Sequence, residues 1–526
     1  MIGRLKYRFF ALARRRWLAI AVASLVPILM RLAVLAKHPV PLPSVADEFS
    51  YLLAADTYAS GHLATSTHPM WKFFETLHII HTPSYMSKYQ PVQGAVLALG
   101  QLLTGVPWAG VLVTGGLMCG AICWMLQGWT RPVWALSGAL LAATQLATFS
   151  YWMDGYMGGF IPAIGGSLVL GALPRLGRIR GAAWALGAGF AILVNSRPFE
   201  GGVLGLAAAL WIAWNLPVRR WSSLSPAAAV GLGCVAWIGF YNHAVTGNAF
   251  TLPYRVHEMR YAVASPFLYF EPPRAVPAYN HEALKAVWAG QDLERYDSER
   301  ADLAGYYGRS AQAMAKIFLG DGLLLILFPI GLYAAYTRRR HRRAIPLLLV
   351  FAAGLCLVKT MLPHYAAPVT GLIFLFLALA LSQLDRWSAG IPASALVLLA
   401  AFGAYIAQAG IILAAPKGAF QASPAHDYGA HRQAIQDRLE KEAGKQLVVV
   451  RYGLEHNPEY EYVYNRANID GANVVWARSM TEGENRELVR YFKDRRVWRL
   501  TVSADSAEPR LEPMPSEIAS RGTPAP

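Results

Sequence analysis

The sequence has little charge and little cysteine. Only 15% of its 526 residues are Asp, Glu, Lys or Arg, whereas 55% are hydrophobic. This composition argues against an ordinary water-soluble domain and is typical of a chain with several membrane helices. The few cysteines all lie within apolar runs, so we expect buried, unreactive thiols and no disulfide framework. They are Cys119, Cys123, Cys234 and Cys356.

Acidic residues are also scarce, since 32 Asp and Glu face 48 Lys and Arg, for a net charge of +16. In a membrane protein this excess indicates basic cytoplasmic loops. No nucleic-acid motif accompanies it, so we expect membrane lipids and no nucleic acid as partners. The basic start precedes an apolar run, Trp17–Ala36, that is long for a signal peptide and predicts a retained first helix. Arg31 could snorkel to the interface or face a site, and we favour the interface.

Basic clusters set the predicted orientation. Segments 175–180, 219–220 and 337–343 all lie inside only if the short apolar run Val92–Leu103 rests along the outer interface instead of crossing. This choice predicts about eleven crossings. They are Trp17–Ala36, Trp108–Leu126, Val133–Ser150, Gly158–Leu173, Ala182–Asn195, Gly201–Pro217, Leu224–Tyr241, Ile317–Tyr336, Ala344–Leu362, Ala366–Leu384 and Ile391–Leu413.

Three parts of the chain follow from this pattern. Residues 1–415 are expected to form a polytopic α-helical membrane domain, with large outer loops at 37–107 and 242–313. Residues 416–502 alternate strand and helix patterns and predict a small extracytoplasmic α/β domain. Residues 503–526 are rich in Pro, Ser and Glu and predict a disordered tail.

The first outer loop carries an acidic pair, Asp47 and Glu48, directly after the first membrane helix. Such a pair could simply cap the helix that follows. The amphipathic run Phe49–Tyr58 can lie in the interface, however, where a carboxylate would meet lipid-linked substrates. There it could take a proton from an acceptor hydroxyl or amine. The two acids could alternatively hold a divalent metal.

Other ionisable residues are predicted on the same outer side. Asp154 lies between aromatic residues and glycines at the outer end of a span, where an acid is costly and often functional. His78 and His81 could hold a metal, but no convincing third ligand accompanies them. Several cations could each be an ordinary snorkelling charge, yet together they suit a phosphate leaving group. The cations are Lys88, Arg197, Arg255, Arg260 and Lys359, and His364 is a further candidate for the same substrate-binding role.

These motifs resemble the GT-C superfamily of integral-membrane glycosyltransferases. The acid pair after the first helix, the segment YQPVQGAVLALGQLL and Asp154 carry the resemblance, which covers roughly the first 200 residues by motif. Gln90 stands where that family usually has proline. The branch most similar in pattern contains the protein O-mannosyltransferases and the lipid A aminoarabinose transferases.

The resemblance implies a sugar donor linked to polyprenyl phosphate and inverting transfer on the extracytoplasmic face, in a bacterial inner membrane. The acceptor is left open as a lipid, glycan or protein. By position, Asp47 would be the catalytic base and Asp154 a supporting acid, with Glu48 beside them. A secondary transporter and a non-catalytic envelope-assembly protein are the alternatives. Transporters usually contain internal repeats and midplane charges, and neither is evident here.

Overall fold

A computed structural model describes residues 2–320, 322–388, 392–414, 424–453, 456–457, 459–502 and 509–514. The described chain is mostly helical. Its membrane part contains α1 Ile2–Arg14, α2 Arg16–Ala33, α3 Ala46–Ala59, α4 Pro91–Thr104, α5 Trp108–Trp129, α6 Pro132–Leu146, α7 Phe160–Ala172, α8 Ala182–Val194, α9 Pro198–Asn215, α10 Ser225–Thr246, α11 Pro253–Tyr261, α12 Glu282–Lys285, α13 Asp292–Ala301, α14 Leu303–Leu319, α15 Leu323–Thr337, α16 Ile345–Leu355, α17 Thr370–Trp387 and α18 Ala393–Ala414.

Short elements complete the membrane part. Three small strands of the first outer loop, β1 Thr65–Ser66, β2 Ile79–Ile80 and β3 Ser84–Ser87, form a sheet in the order β1-β3-β2. A π-helix joins α12 to α13 at Ala286–Gln291. Short 3-10 helices cover Trp71–Phe74, Leu173–Arg175, Val218–Leu224, Arg342–Ala344 and Pro363–Val369.

Five described helices are long and apolar enough to cross a membrane, or six if the bent pair α14 and α15 is one span. The expected count of eleven crossings is therefore not established by length and composition. The predicted spans Val133–Ser150 and Gly158–Leu173 contain helices of 15 and 13 residues, below the roughly 20 needed to cross upright. An integral membrane protein remains the reading that these apolar helices support.

The predicted span Ile317–Tyr336 is wrong as a single helix. α14 ends at Leu319, and α15 begins at Leu323. Gly320 follows α14 with φ +67°, a conformation that glycine adopts readily and that terminates a helix. The sequence has Gly320, Asp321 and Gly322 at this point, a turn signal that the span prediction overlooked because it relied on length and hydropathy.

The predicted interfacial segment is helix α4. Leu97 and Ala98 are buried against neighbouring helices, whereas Leu99, Leu102 and Leu103 are exposed. With 14 residues, α4 is shorter than a perpendicular span needs. One apolar face is thus left for lipid, as expected for a helix that lies along an interface.

The C-terminal part is a small α/β domain, as predicted. It contains α19 Pro424–Glu440, β4 Lys445–Tyr452, β5 Val474–Arg478, α20 Glu482–Tyr491, β6 Arg495–Val502 and β7 Arg510–Pro513. The sheet order is β5-β4-β6-β7, with β4 parallel to both neighbours and β7 antiparallel to β6. The apolar strand β4 lies at the centre, which explains its continuous burial.

The prediction of a disordered tail is wrong for part of its range. Residues 510–513 form β7, in which Leu511 pairs with Leu500 of β6. One apolar side chain between charged neighbours is enough to extend an existing sheet edge, and composition did not reveal it. The rest of the predicted tail, 503–508 and 515–526, lies outside the described residues.

The orientation remains a prediction, and cysteine labelling checks it. Thr65→Cys and Ser503→Cys should react with a membrane-impermeant maleimide in intact cells, whereas Arg339→Cys should not. Ser503 lies outside the described residues, so Thr65 in β1 is the structurally placed site. Cys119 and Cys123 are buried as expected, but Cys234 and Cys356 are partly exposed, so the labelling uses a Cys234→Ser/Cys356→Ser background. Labelling of Arg339→Cys from outside would reverse the assignment.

Candidate functional site

Glu48 anchors the beginning of α3. Its Oε2 accepts backbone N–H bonds from Ser44 at 2.7 Å and Val45 at 3.3 Å, and its Oε1 accepts one from Tyr156 at 2.9 Å. Burial raises the pKa of Glu48 to about 7, against the N–H donors that lower it. The helix-cap reading of the acid pair therefore describes Glu48 well, and its oxygens are already occupied.

Asp47, one residue earlier, has different surroundings. Its side chain is 37% exposed, it accepts a short hydrogen bond from the Tyr89 hydroxyl, and its Oδ2 lies 3.7 Å from Nε2 of His78. Burial raises the pKa of Asp47, but the proximity of His78, the bond from Tyr89 and the charge of Lys88 outweigh it, so the pKa lies below the ordinary value. Asp47 is thus an ionised carboxylate that retains access to solvent.

Lys88 lies in a cage of aromatic rings. Its ammonium is 5.4 Å from the ring centroid of Tyr89, 4.9 Å from that of Tyr254 and 5.3 Å from that of Trp288. Glu258 of α11 approaches it to 3.5 Å. Burial raises the pKa of Glu258, but Lys88 lowers it more, to about 2. The second outer loop therefore supplies both a counter-ion and two aromatic walls for a buried cation.

Arg197 precedes α9 and interacts with two tyrosines, Tyr51 and Tyr365, that also interact with Asp47. Its guanidinium lies 4.8 Å from the ring centroid of Tyr365 and 3.8 Å from Glu200. It also interacts electrostatically with Tyr51, a ring that stacks on the Tyr89 partner of Asp47. A second cation thus lies near the carboxylate.

His364 also belongs to this group. It is buried, and its Nδ1 lies 3.1 Å from the hydroxyl of Tyr151. It is close enough to interact electrostatically with Asp47. Residues 47, 88, 197 and 364 come from four separate segments, and the fold brings them into one region, since Asp47 interacts with Lys88 and His364, and His364 interacts with Arg197.

Asp154 is connected to the same region through α2. Its Oδ1 lies 3.3 Å from the guanidinium of Arg31 and 2.9 Å from Nε2 of His38. Arg31 is fully buried, donates to the carbonyls of His38 and Pro39, and packs 4.8 Å from the ring centroid of Trp108. The expectation that Arg31 snorkels to the interface is wrong, because the partly buried carboxylate of Asp154 and two backbone carbonyls hold its guanidinium inside the fold.

The remaining predicted cations occupy other surroundings. Lys359 is bound by both oxygens of Asp292, at 2.8 Å each. Arg260 is half exposed and lies 4.0 Å from Glu75. Arg255 is exposed on α11. The sequence could not reveal the partners of Lys359 and Arg260, because they are distant along the chain.

The C-terminal domain reaches the helix that carries Asp47. Tyr464 stacks on Phe49, with centroids 4.2 Å apart and planes within 4°, and the guanidinium of Arg432 lies 4.8 Å from the centroid of Phe49. Further along α3, Asp56 forms a 2.8 Å ion pair with Arg466. The α/β domain therefore packs directly behind the candidate site.

Sequence reasoning missed several residues of this site. Their signals were weak, because aromatic residues and single acids are common in outer loops; the adjacency of Tyr89 to Lys88 was the one usable hint. The missed residues are Tyr51, Tyr89, Tyr254, Glu258, Trp288 and Tyr365.

The donor set does not favour a metal shared by Asp47 and Glu48. The three N–H donors occupy the oxygens of Glu48, while Asp47 turns toward Tyr89. Within the described ranges, no three His, Cys, Asp or Glu side chains are grouped to hold a metal ion. The side chains near Asp47 are instead cations, imidazoles and phenols, which suit an anionic substrate.

No protein-family model matches the sequence, and no curated protein sequence matches it. Solved structures do resemble the fold. Apo ArnT from Cupriavidus metallidurans is 13% identical, with a TM-score of 0.54 over 95% of this chain and 99% of ArnT. The same protein bound to undecaprenyl phosphate is 12% identical over the same shares, with a TM-score of 0.52.

The oligosaccharyltransferase of Archaeoglobus fulgidus, solved with Zn and sulfate, is a further similar structure. It is 13% identical, with a TM-score of 0.52 over 92% of this chain and 67% of its own. These neighbours are GT-C glycosyltransferases, and the chain has the GT-C superfamily fold. The fold that the acid pair and the YQPVQG segment predicted is thereby confirmed.

Proposed function

We propose that this chain transfers a sugar from a polyprenyl-phosphate donor to a hydroxyl or amine acceptor on the extracytoplasmic face of a bacterial inner membrane. The observation that carries the proposal is the solvent-accessible, ionised carboxylate of Asp47, with Lys88 close enough to lower its pKa and with Arg197 near Tyr51, a ring that interacts with both Arg197 and Asp47. Such a site pairs a base with groups that stabilise a phosphate leaving group. The solved ArnT complex with undecaprenyl phosphate, a protein of the same fold, supports this class of donor.

The reaction is a direct displacement. The acceptor oxygen or nitrogen bonds to the anomeric carbon, and the bond from that carbon to the phosphate oxygen breaks. The phosphate leaves with the electron pair, and Asp47 takes the acceptor proton. One displacement at carbon inverts the anomeric configuration, and no covalent enzyme intermediate is required.

The neighbouring residues have distinct parts in this mechanism. Lys88 and Arg197 neutralise the phosphate, with His364 beside them. Glu48 positions Asp47 by anchoring the first turn of α3. Asp154 acts through Arg31 of α2, which also donates hydrogen bonds to the carbonyls of His38 and Pro39 in the segment before α3.

Three further cations were predicted to bind substrate. Lys359 already has its charge balanced by Asp292, so we assign it to holding the second outer loop. Arg255 is exposed on α11, where an acceptor can reach it. Arg260 lies 4.0 Å from Glu75, which balances its charge, so we assign it no contact with the donor phosphate.

A release assay tests the function as a whole. Purified protein mixed with a polyprenyl-phosphate sugar, labelled in the lipid, should liberate free polyprenyl phosphate when an extract of envelope acceptors is added. Heat-denatured protein is the control. A transporter or an assembly protein would release none, so absence of release with every available donor sugar would contradict the proposal.

A further inference from the structure

The chain between α16 and the 3-10 helix Pro363–Val369 is irregular, and it contains one strained residue. Thr360 has φ +56°, in the left-handed region that residues other than glycine avoid, β-branched ones most of all. Among the non-glycine residues that the structure describes, only His78, the neighbour of Asp47, also has a positive φ. Strained backbone persists where the surrounding structure holds it, and it is concentrated at functional sites.

The second outer loop holds Thr360 in this conformation. Glu299 of α13 accepts the backbone N–H of Thr360 through Oε2 at 3.0 Å, and its Oε1 accepts from the Thr360 hydroxyl at 3.4 Å. The carboxyl group is 8% exposed as part of a buried residue. A hydrogen bond to a carboxylate is about twice as strong as one between neutral groups, so Glu299 offsets part of the strain.

A second side chain of the same loop brackets the strained residue. The hydroxyl of Tyr306 on α14 donates to the carbonyl of Val358 at 2.7 Å and accepts the N–H of Met361 at 2.9 Å. These contacts fix the chain before and after Thr360. The contacts of Thr360 itself come from Glu299, which therefore decides the direction in which the chain continues.

This direction determines where two residues of the candidate site lie, because His364 and Tyr365 follow Thr360 closely in the sequence. Nδ1 of His364 lies 3.1 Å from the hydroxyl of Tyr151, and the ring centroid of Tyr365 lies 4.8 Å from the guanidinium of Arg197. Relaxation of Thr360 to an ordinary negative φ would turn the chain and move both side chains.

We propose that Glu299 is a positioning residue for the donor site, because it holds Thr360 in the left-handed conformation. His364 and Tyr365 thereby stay beside Arg197. The second outer loop then helps to assemble the part of the site that binds phosphate, through the backbone and without contact between Glu299 and the substrate. This assignment rests on the proposed transferase function.

Equilibrium binding tests the proposal in the purified full-length protein, with undecaprenyl phosphate as the probe. Glu299→Ala should weaken binding about tenfold, the effect of one lost hydrogen bond to a charged group. Adding Thr360→Gly to that variant should restore most of the affinity, since glycine adopts a positive φ without strain. Glu299→Gln, whose amide oxygen can still accept the N–H, should bind nearly as the wild type does. Glu294→Ala, exposed on the same helix, is the matched control.

A spectroscopic readout follows the position of Tyr365 without any ligand. 3-Fluorotyrosine incorporated at Tyr365 has a ¹⁹F chemical shift that depends on the nearby guanidinium of Arg197. The shift should change in Glu299→Ala and return toward the wild-type value in Glu299→Ala/Thr360→Gly. Glu299→Asp, which keeps the charge on a shorter side chain, should show a smaller change and serves if Glu299→Ala does not fold.

Three results would overturn the inference. One is an unchanged shift with unchanged affinity in folded Glu299→Ala. Another is a loss that Thr360→Gly does not rescue, because Glu299 would then support the fold in general. The third is a changed shift with wild-type affinity, which would place Tyr365 outside the donor site. A wild-type protein that does not bind undecaprenyl phosphate would instead contradict the proposed function, and the fluorine shift would still decide whether Glu299 positions Tyr365.

Discussion

Asp47→Asn should lower the rate of sugar transfer by about 10²–10⁴-fold, the usual contribution of a general base. The amide keeps the size of the side chain and can still accept the hydrogen bond from Tyr89. It cannot take the acceptor proton. Affinity for undecaprenyl phosphate should be retained, since the lost charge is negative and the ligand is an anion. Single-turnover transfer and equilibrium binding, measured on the same preparation, separate the two effects.

Glu48→Gln is the matched comparison, because the neighbouring acid makes different contacts. Its carboxylate accepts three backbone N–H bonds, and an amide would turn its NH₂ group toward some of these donors. Loss of such buried bonds costs about 1–3 kcal/mol, so thermal stability should fall while transfer falls less than in Asp47→Asn. A chelator should leave the wild-type rate unchanged. Wild-type transfer by folded Asp47→Asn would show that Asp47 is not the base of the reaction.

Arg197→Ala should weaken binding of undecaprenyl phosphate by about tenfold to a hundredfold. Charge-assisted hydrogen bonds to phosphate contribute about 1.5–3 kcal/mol, which corresponds to that range. Lys88→Ala should have an effect of the same order, through the caged ammonium. Lys359→Ala should have a smaller one, because Asp292 already neutralises that charge.

Removing Arg197 or Lys88 leaves a buried acid, Glu200 or Glu258, without its cation. Each substitution is therefore combined with a second one that neutralises this acid. Arg197→Ala/Glu200→Gln and Lys88→Ala/Glu258→Gln keep the local charge balance, and their affinity loss reports the phosphate contact itself. Arg309→Ala, an exposed arginine beside Asp302, is the control and should bind as the wild type does. Unchanged affinity in both double variants would exclude these cations from the donor site.

The features that the sequence predicted are those that depend on residues close together along the chain. The acid pair, the short helix α4 and the strand-helix alternation after residue 416 depend on composition and periodicity over a few residues. The roles within the acid pair were not predictable in this way. Adjacent helical residues point about 100° apart, so Glu48 turned toward backbone donors and Asp47 toward Tyr89.

Distant pairing explains most of the remaining differences. Lys359 and Asp292 are 67 residues apart, and Lys88 and Glu258 are 170 apart. Hydropathy treats each of these as an isolated charge at a membrane edge, so it could not show which cations are already neutralised. Arg31 was expected to snorkel for the same reason, since its partner Asp154 is 123 residues away.

The contact between α3 and the C-terminal domain determines when α3 can complete its packing during biosynthesis. Asp56 and its partner Arg466 are separated by 410 residues. At about 5–20 residues per second, a ribosome needs about 20–80 s to make the intervening chain. The helix that carries Asp47 therefore waits for its packing partner until the C-terminal domain has been made. Chains truncated before Tyr464 would lack the ring that stacks on Phe49 of that helix.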